Sequence, residues 1–199
     1  MTPGCPPVVP RVLARLYNWS VPLERQALRI ALDMAAVRPG ERVLDVATGT
    51  GALLREIALR DTCARQVIGI DRSRSMLSAG RRRASSASLV IADARALPFP
   101  AASFDVISVC YLVHLLKPDE RRRVFDAIRR VVRPGGRVVS ITVDAEEPTL
   151  RRVLGALPVW TGLRRLDPRP DMEVAGLRPI RVRYTGAGWP SQCVLAEPG

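Results

Sequence analysis

Residues 42–51 read RVLDVATGTG, an apolar run that ends on Asp45 and opens into a turn carrying Gly49 and Gly51. The run is short, rich in branched side chains and closed by an acid, which is the character of a buried strand, and the turn leads into a helix starting near Ala52. In open α/β sheets, ligands bind outside the carboxyl ends of strands, where such a loop lies. A dinucleotide fingerprint needs a third glycine three residues after the second, so that the helix can pack closely beside a pyrophosphate. Leu54 stands there instead. Counted from the acid, the register is Asp45-x-Ala47-x-Gly49-x-Gly51, which lets a ligand backbone approach closely without offering a phosphate cradle.

Outward from this loop, strand and helix signals alternate, as in a parallel sheet with helices on both faces. QVIGI (66–70), SLVIA (88–92), FDVISVC (104–110) and GRVVSITV (136–143) each read as a buried strand. Between the last two lies KPDERRRVFDAIRRVVRPGG, in which Val124, Phe125, Ile128, Val131 and Val132 recur at helical spacing. Pro118, Asp119 and Glu120 suit the first turn of that helix, Arg129, Arg130 and Arg133 its last, and Pro134-Gly135-Gly136 is predicted to stop it. A looser stretch runs from residue 144 to about Pro170, then a short helix near Met172 to Ala175. The runs PIRVRY and SQCVLA, separated by TGAGWP, then predict an antiparallel hairpin.

At 199 residues and 47% apolar composition the chain has the size and core of one domain. The net charge of +12 invites a nucleic-acid partner. Its distribution argues against one: every basic residue but Lys117 is arginine, and three Trp, three Tyr and three Phe leave few rings to stack on bases. Arg81 to Arg83 and Arg121 to Arg123 are expected on solvated helix faces. An anionic membrane surface is another use of the same charge. Cys5, Cys63, Cys110 and Cys193 form no CxxC pair and read as free thiols, Cys110 and Cys193 in the core, with no metal site. The first twenty residues lack the pattern of a secretory signal, and no run reaches the roughly 18 apolar residues of a membrane span, so the chain is expected in the cytoplasm.

Two further acids extend the loop into a constellation. Asp71 ends the second strand, twenty residues after Gly51, where a carboxylate accepts hydrogen bonds from ribose hydroxyls. Asp93 follows the third strand, in reach of an adenine amino group. Three acids at the ends of three successive strands, with no phosphate loop, describe a pocket for an adenosine bearing a cationic tail. S-adenosylmethionine has that form.

RVLDVATGTG, GIDRSRSML, DARALPFPAASFDVISV and RRVVRPGGRVV together resemble the successive motifs of class I S-adenosylmethionine-dependent methyltransferases. The wording is closest to the ubiquinone/menaquinone C-methyltransferase branch, and the resemblance covers residues 20 to 143. It implies a Rossmann-like three-layer sandwich whose seven-stranded, mostly parallel sheet has the order 3-2-1-4-5-7-6 and ends in an antiparallel hairpin. Residues 21–199 would form that one domain, with 1–20 as an N-terminal lid or membrane-contacting segment. The family's contacts carry over to Asp45, Ala47, Thr48, Gly49 and Gly51 around the methionine moiety and Asp71 on the ribose. Asp93 with Ala94 would meet the adenine, Arg72 and Met76 would flank it, and Cys110 would be a further cofactor contact.

Three residues are candidates for chemistry. His114, the single histidine, follows the fourth strand in CYLVHLL near the expected methyl-transfer site, where it serves as a base or packs. Asp144 ends the fifth strand and faces the acceptor or begins a loop. Tyr17, in RLYNWS, matches an N-terminal aromatic that relatives fold over the cofactor. So few candidates suffice because methyl transfer is an in-line displacement that needs alignment and exclusion of water more than proton traffic.

The acceptor is less defined. Quinone methyltransferases of this branch carry an Arg-Asn pair after the fourth strand, where this chain has Leu112-Val113-His114, and a larger cap before the last helix. Compact chains of this size resemble bacterial phospholipid N-methyltransferases, and Val9, Val12, Leu13 and Leu16 share one helical face beside Arg11 and Arg15, a pattern suited to an anionic bilayer. The same face also suits packing on the sheet. The readings are therefore a small or lipid-like acceptor, a phospholipid amine, or a secondary metabolite. From other classes come a non-catalytic cofactor-binding or RNA-associating module and an oxidoreductase.

Overall fold

The computed structural model describes residues 24–60, 62–81, 86–143, 166–185 and 190–199. Seven strands run as β1 (Arg42–Val46), β2 (Gln66–Asp71), β3 (Ser88–Ile91), β4 (Phe104–Cys110), β5 (Val132–Val143), β6 (Leu177–Thr185) and β7 (Ser191–Pro198). The helices are α1 through residues 24–35, α2 (Ala52–Leu59), α3 (Arg74–Gly80), α4 (Pro118–Val131) and α5 (Arg169–Val174), with a 3-10 turn at Val113–Leu115. All strands join one sheet in the order β3-β2-β1-β4-β5-β7-β6. Pairings from β3 across to β5 are parallel, and β7 runs antiparallel to both β5 and β6. The topology implied by the motifs is the topology observed.

This order places the site. The chain winds outward from β1 to β3, then returns to lay β4 on the other side of β1, so the connections after β1 and β4 leave in opposite directions. A crevice opens there at the carboxyl ends of the strands.

Alternation along β1 divides the interior into two layers. Leu44 and Val46 join Ile107, Val109 and Val138 in a core closed by Val124, Phe125, Ile128 and Val131 of α4 and Met172 of α5. Val43 turns to the other face, where Val106, Val139 and Ile141 meet Leu28 and Leu32 of α1 and Leu53, Leu54 and Ile57 of α2. Phe104 and Phe125 are wholly buried, each contributing about 1.5–3 kcal/mol from burial.

Several boundaries differ from the sequence reading. Helix α4 ends at Val131, before Pro134, and β5 begins at Val132. The reason lies in Gly136, where an added Cβ would stand 3.0 Å from the carbonyl oxygen of Asp105 and 2.9 Å from that of Arg133. Gly136 thus admits a close approach to β4, while Gly135, at φ 72° with open space around it, turns the chain. Arg133 lies beyond the helix and pairs with Asp105 at 2.6 Å. Strand β3 stops at Ile91, one residue short of the predicted run, and the short helix begins earlier, at Arg169. Arg121 is not a solvated side chain: it reaches across to Asp171 of α5 at 2.6 Å and is 17% exposed. Cys193 is buried as expected, Cys110 only partly so, and Cys63 is exposed. Tyr17, Asp144, Cys5, Arg82, Arg83 and the segment 1–20 lie outside the described residues. Among the described residues no helix is long and apolar enough to cross a membrane.

Candidate cofactor and acceptor site

Asp45 sits in the alternation where an apolar residue would otherwise face α1 and α2. It is 2% exposed. Its in-register neighbour on β4 is Ser108, whose hydroxyl donates to Asp45 Oδ1 at 2.7 Å. Burial pushes the Asp45 carboxyl up to about 6, the Thr48 and Ser108 hydroxyls oppose that rise, and the nearby Asp71 adds to it. No described cation offsets the burial, and a carboxylate in that condition is stabilised by any positive charge brought beside it.

The loop after Asp45 is built on alternate left-handed residues: Ala47 at φ 58°, Gly49 at 56° and Gly51 at 74°. This is the x-small-x-small register of the sequence, although Ala47 takes the conformation without glycine's freedom. The Thr48 N–H donates to the Ile70 carbonyl at 2.8 Å, which ties the loop to β2. Gly49 N–H then donates to Asp71 Oδ2 at 2.9 Å, and Ser73 N–H donates to Asp71 Oδ1 at 2.8 Å. Burial raises the Asp71 carboxyl, and these two amides hold it back. Ser73 also caps α3 by accepting from the Met76 N–H, which sets buried Met76 on the first turn.

Asp93 is built differently. It is 40% exposed, and the guanidinium of Arg95, two residues on, grips its carboxylate at 2.6 Å. That hydrogen bonding holds the Asp93 carboxyl below its usual range despite partial burial. Ala92 N–H donates to the Asp71 carbonyl at 3.2 Å, so the approach to Asp93 is fixed to the end of β2. Asp45, Asp71 and Asp93 therefore close three neighbouring strands in sequence along one edge, with Ala94 packed at the margin of the core.

On the β4 side, Tyr111 adopts φ 55° as the chain leaves the strand, and its hydroxyl lies 3.0 Å from Ser191 Oγ of β7. His114 follows in the 3-10 turn, its ring edge-on to Tyr111 at 6.5 Å between centroids. It is 9% exposed, and among the described residues its Nδ1 meets no hydrogen-bond partner. Burial pushes the imidazole down to about 4, so it is neutral at pH 7.

The matching family model is a methyltransferase domain, covering residues 43–136. A demethylmenaquinone methyltransferase of Renibacterium salmoninarum is 35% identical over 181 residues, which span 87% of this chain and 70% of that one. The chain belongs to the class I S-adenosylmethionine-dependent methyltransferases, in the ubiquinone/menaquinone C-methyltransferase branch. It spans about half the length of the other curated relatives it matches, which are named as ubiquinone/menaquinone biosynthesis C-methyltransferases or demethylmenaquinone methyltransferases. Among solved structures, the magnesium protoporphyrin IX methyltransferase ChlM of Synechocystis, with S-adenosylhomocysteine bound, superposes at a TM-score of 0.71 with 16% identity, covering 89% of this chain and 84% of that one. The [4+2]-cyclase SpnF does nearly as well, at 0.70 with 20% identity, covering 87% and 80%. These likenesses show the fold alone, and the cyclase shows that the methyltransferase fold is not bound to one reaction.

Several residues around the site carry little or no signal in the sequence. An added Cβ at Gly69 would stand 2.7 Å from Leu54 Cδ1, and one at Gly80 would stand 2.9 Å from the carbonyl carbon of Thr50. The loop of residues 47–51 is thus wedged between β2 and α3, each of which contributes a glycine at the contact. A glycine inside the strand VIGID is a signal of close approach that the sequence does carry. Ser108, Arg95 and Tyr111 have no such signal.

Proposed function

We propose that this chain transfers a methyl group from S-adenosylmethionine to a small, lipid-like acceptor at the carboxyl edge of β1 and β4. The observation that carries this reading is Asp45: a buried carboxylate with hydroxyl neighbours, a second acid beside it and no described cation, at the mouth of a loop without a phosphate cradle. Such a site favours a cationic amino-acid tail and disfavours a pyrophosphate.

The bound cofactor supplies an electrophilic methyl on a sulfonium. The protein's residues align and shelter it. Asp45 receives the ammonium of the methionine moiety, Asp71 the ribose, and Asp93 with Ala94 the adenine edge. Loop residues 47–51 fix the tail by close backbone approach. Tyr111 and His114 border the acceptor side, and a neutral, buried imidazole accepts a hydrogen bond from a hydroxyl on the acceptor. The quinone C-methyltransferase names among the relatives support a hydroxylated, lipid-like ring.

Calorimetric titration with S-adenosylhomocysteine tests the cofactor. Binding that reduced nicotinamide cannot displace is expected, and absence of binding by folded protein would overturn the reading. Incubation with methyl-labelled cofactor and a fractionated lipid and metabolite extract identifies the acceptor. Label entering RNA and no lipid or small-molecule fraction would overturn the acceptor class.

A further inference from the structure

Arg95 links two parts of the site that the sequence separates by twenty-five residues. Its Nε donates to Asp93 Oδ1 at 3.0 Å and its Nη2 to Asp93 Oδ2 at 2.6 Å, while its backbone N–H donates to Oδ1 at 2.9 Å. From the other side of the same guanidinium, Nη1 donates to Glu120 Oε1 at 2.7 Å. Glu120 in turn accepts from the Lys117 N–H through Oε2 at 3.2 Å, closing the first turn of α4 directly after the turn that carries His114. Arg95 and Glu120 are only 25% and 14% exposed.

A carboxylate offers about four acceptor positions. The two-pronged grip takes one on each oxygen, with the Nε–H shared between Oδ1 at 3.0 Å and Oδ2 at 3.2 Å, and the Arg95 amide takes a second on Oδ1, so the side left open is that of Oδ2. A group so held presents a single acceptor in a fixed direction, suited to one N–H of a purine amino group and hostile to a carbonyl at that place. Lysine cannot replace this geometry, because a point-like ammonium grips one oxygen and leaves the carboxylate free to turn. The far end of the loop is also fixed to α4: Arg130 donates to the carbonyls of Phe99 and Leu97 at 2.6 and 2.7 Å. Arg95 is then the only part of this attachment that touches a cofactor-facing side chain among the described residues.

We propose that Arg95 is a positioning residue that orients Asp93 to select adenine over other purines, and that Glu120 anchors Arg95 in that task. This rests on the cofactor reading given above, in which Asp93 meets the adenine edge.

The test is calorimetric titration of the full chain with S-adenosylhomocysteine and with S-inosylhomocysteine, in which a carbonyl replaces the purine amino group. The wild-type protein is expected to prefer the adenosyl compound by about ten- to a hundredfold, the range of one charge-assisted hydrogen bond. In Arg95→Lys, which keeps the charge, the preference is expected to fall at least fivefold. Glu120→Gln is expected to reduce it in the wild-type background and to leave it unchanged in the Arg95→Lys background. Equal preference in wild-type and Arg95→Lys proteins, or additive effects of the two substitutions, overturns the proposal. Wild-type protein that binds neither compound overturns the cofactor reading itself, so the two failures are distinct. Circular dichroism melts establish that each variant is folded at the titration temperature. If Arg95→Lys is unfolded there, Arg95→Gln and Glu120→Gln carry the same comparison, and a preference unchanged in both overturns the proposal.

Discussion

Asp71 accepts the Gly49 N–H on one carboxylate oxygen and the Ser73 N–H on the other, at 2.9 and 2.8 Å. One side chain therefore sets both the cofactor loop and the start of α3. Both donors are backbone amides and cannot become acceptors. Asp71→Asn keeps the shape but turns an NH2 toward one of them, leaving two donors face to face. The loss of about 1.5–3 kcal/mol for a hydrogen bond to a charged group corresponds to a fall in Tm of roughly 3–12 °C for a chain of this size. Scanning calorimetry should find that fall, and titration should find S-adenosylhomocysteine bound at least about tenfold more weakly. An unchanged Tm would show that the acid does not organise the loop.

Gly80 and Gly69 predict a graded pair. The Cβ of Gly80→Ala would meet main-chain atoms, the carbonyl carbon of Thr50 at 2.9 Å and its oxygen at 3.1 Å, which cannot rotate away. In Gly69→Ala the Cβ would meet side-chain atoms only, Leu54 Cδ1 at 2.7 Å and Thr48 Cγ2 and Oγ1 at 3.0 Å, which can shift by rotation. Gly80→Ala should therefore cost more, about 1–3 kcal/mol in chemical denaturation, and should weaken S-adenosylhomocysteine binding as α3 is pushed from the loop. Equal stabilities for the two variants would refute the wedge.

The parts of this architecture that were legible in the sequence are those fixed by one chain segment. β1, β4 and β5 are covered on both faces, so their centres read as apolar runs interrupted by only a few polar residues such as Asp45, Ser108 and Ser140. The placement of Asp45, Asp71 and Asp93 at neighbouring strand ends was legible because each acid closes or follows its own apolar run. What escaped depends on neighbours across strands. Ser108 matters because it stands in register with Asp45, and nothing in FDVISVC announces that. Arg95 looks like any other arginine until Glu120 is placed beside it. The start of β5 was hidden because Arg-Pro-Gly-Gly reads as a loop, and only the backbone of Asp105 shows why glycine stands at 136.

Asp45 and His114 make opposite contributions to stability over nearly the same pH range. Asp45 rises from 3.8 to about 6 on folding. Between those values the native state holds more protons than the unfolded state, so this group lowers stability as pH rises from about 4 to 6. His114 falls from 6.5 to about 4, so over that interval the unfolded state holds more protons and this group raises stability as pH rises. Each contribution is on the order of 3 kcal/mol, and they largely cancel. Compared with wild type, Asp45→Asn should therefore gain stability with rising pH between 4 and 6, and His114→Phe should lose it. Urea denaturation at half-unit pH intervals measures both differences. Parallel curves for wild type and either variant would contradict the burial of that group.

Because the His114 imidazole stays neutral down to about pH 4, it is poorly matched to abstracting a proton at neutrality and well suited to accepting a hydrogen bond from the acceptor. Two expectations separate these roles once an acceptor is in hand. With saturating cofactor, kcat should be level from pH 5 to 8, without the inflection near 6.5 that an ordinary histidine base imposes. At low cofactor concentration, the apparent affinity should fall below about pH 6, as Asp45 takes a proton and loses its attraction for an ammonium. That fall should vanish in Asp45→Asn and persist in His114→Gln. His114→Gln, whose side-chain oxygen can still accept, should retain more turnover than His114→Phe, with S-adenosylhomocysteine affinity unchanged in both. A kcat profile that bends near 6.5 in wild type and flattens in His114→Gln would instead make His114 a titrating base.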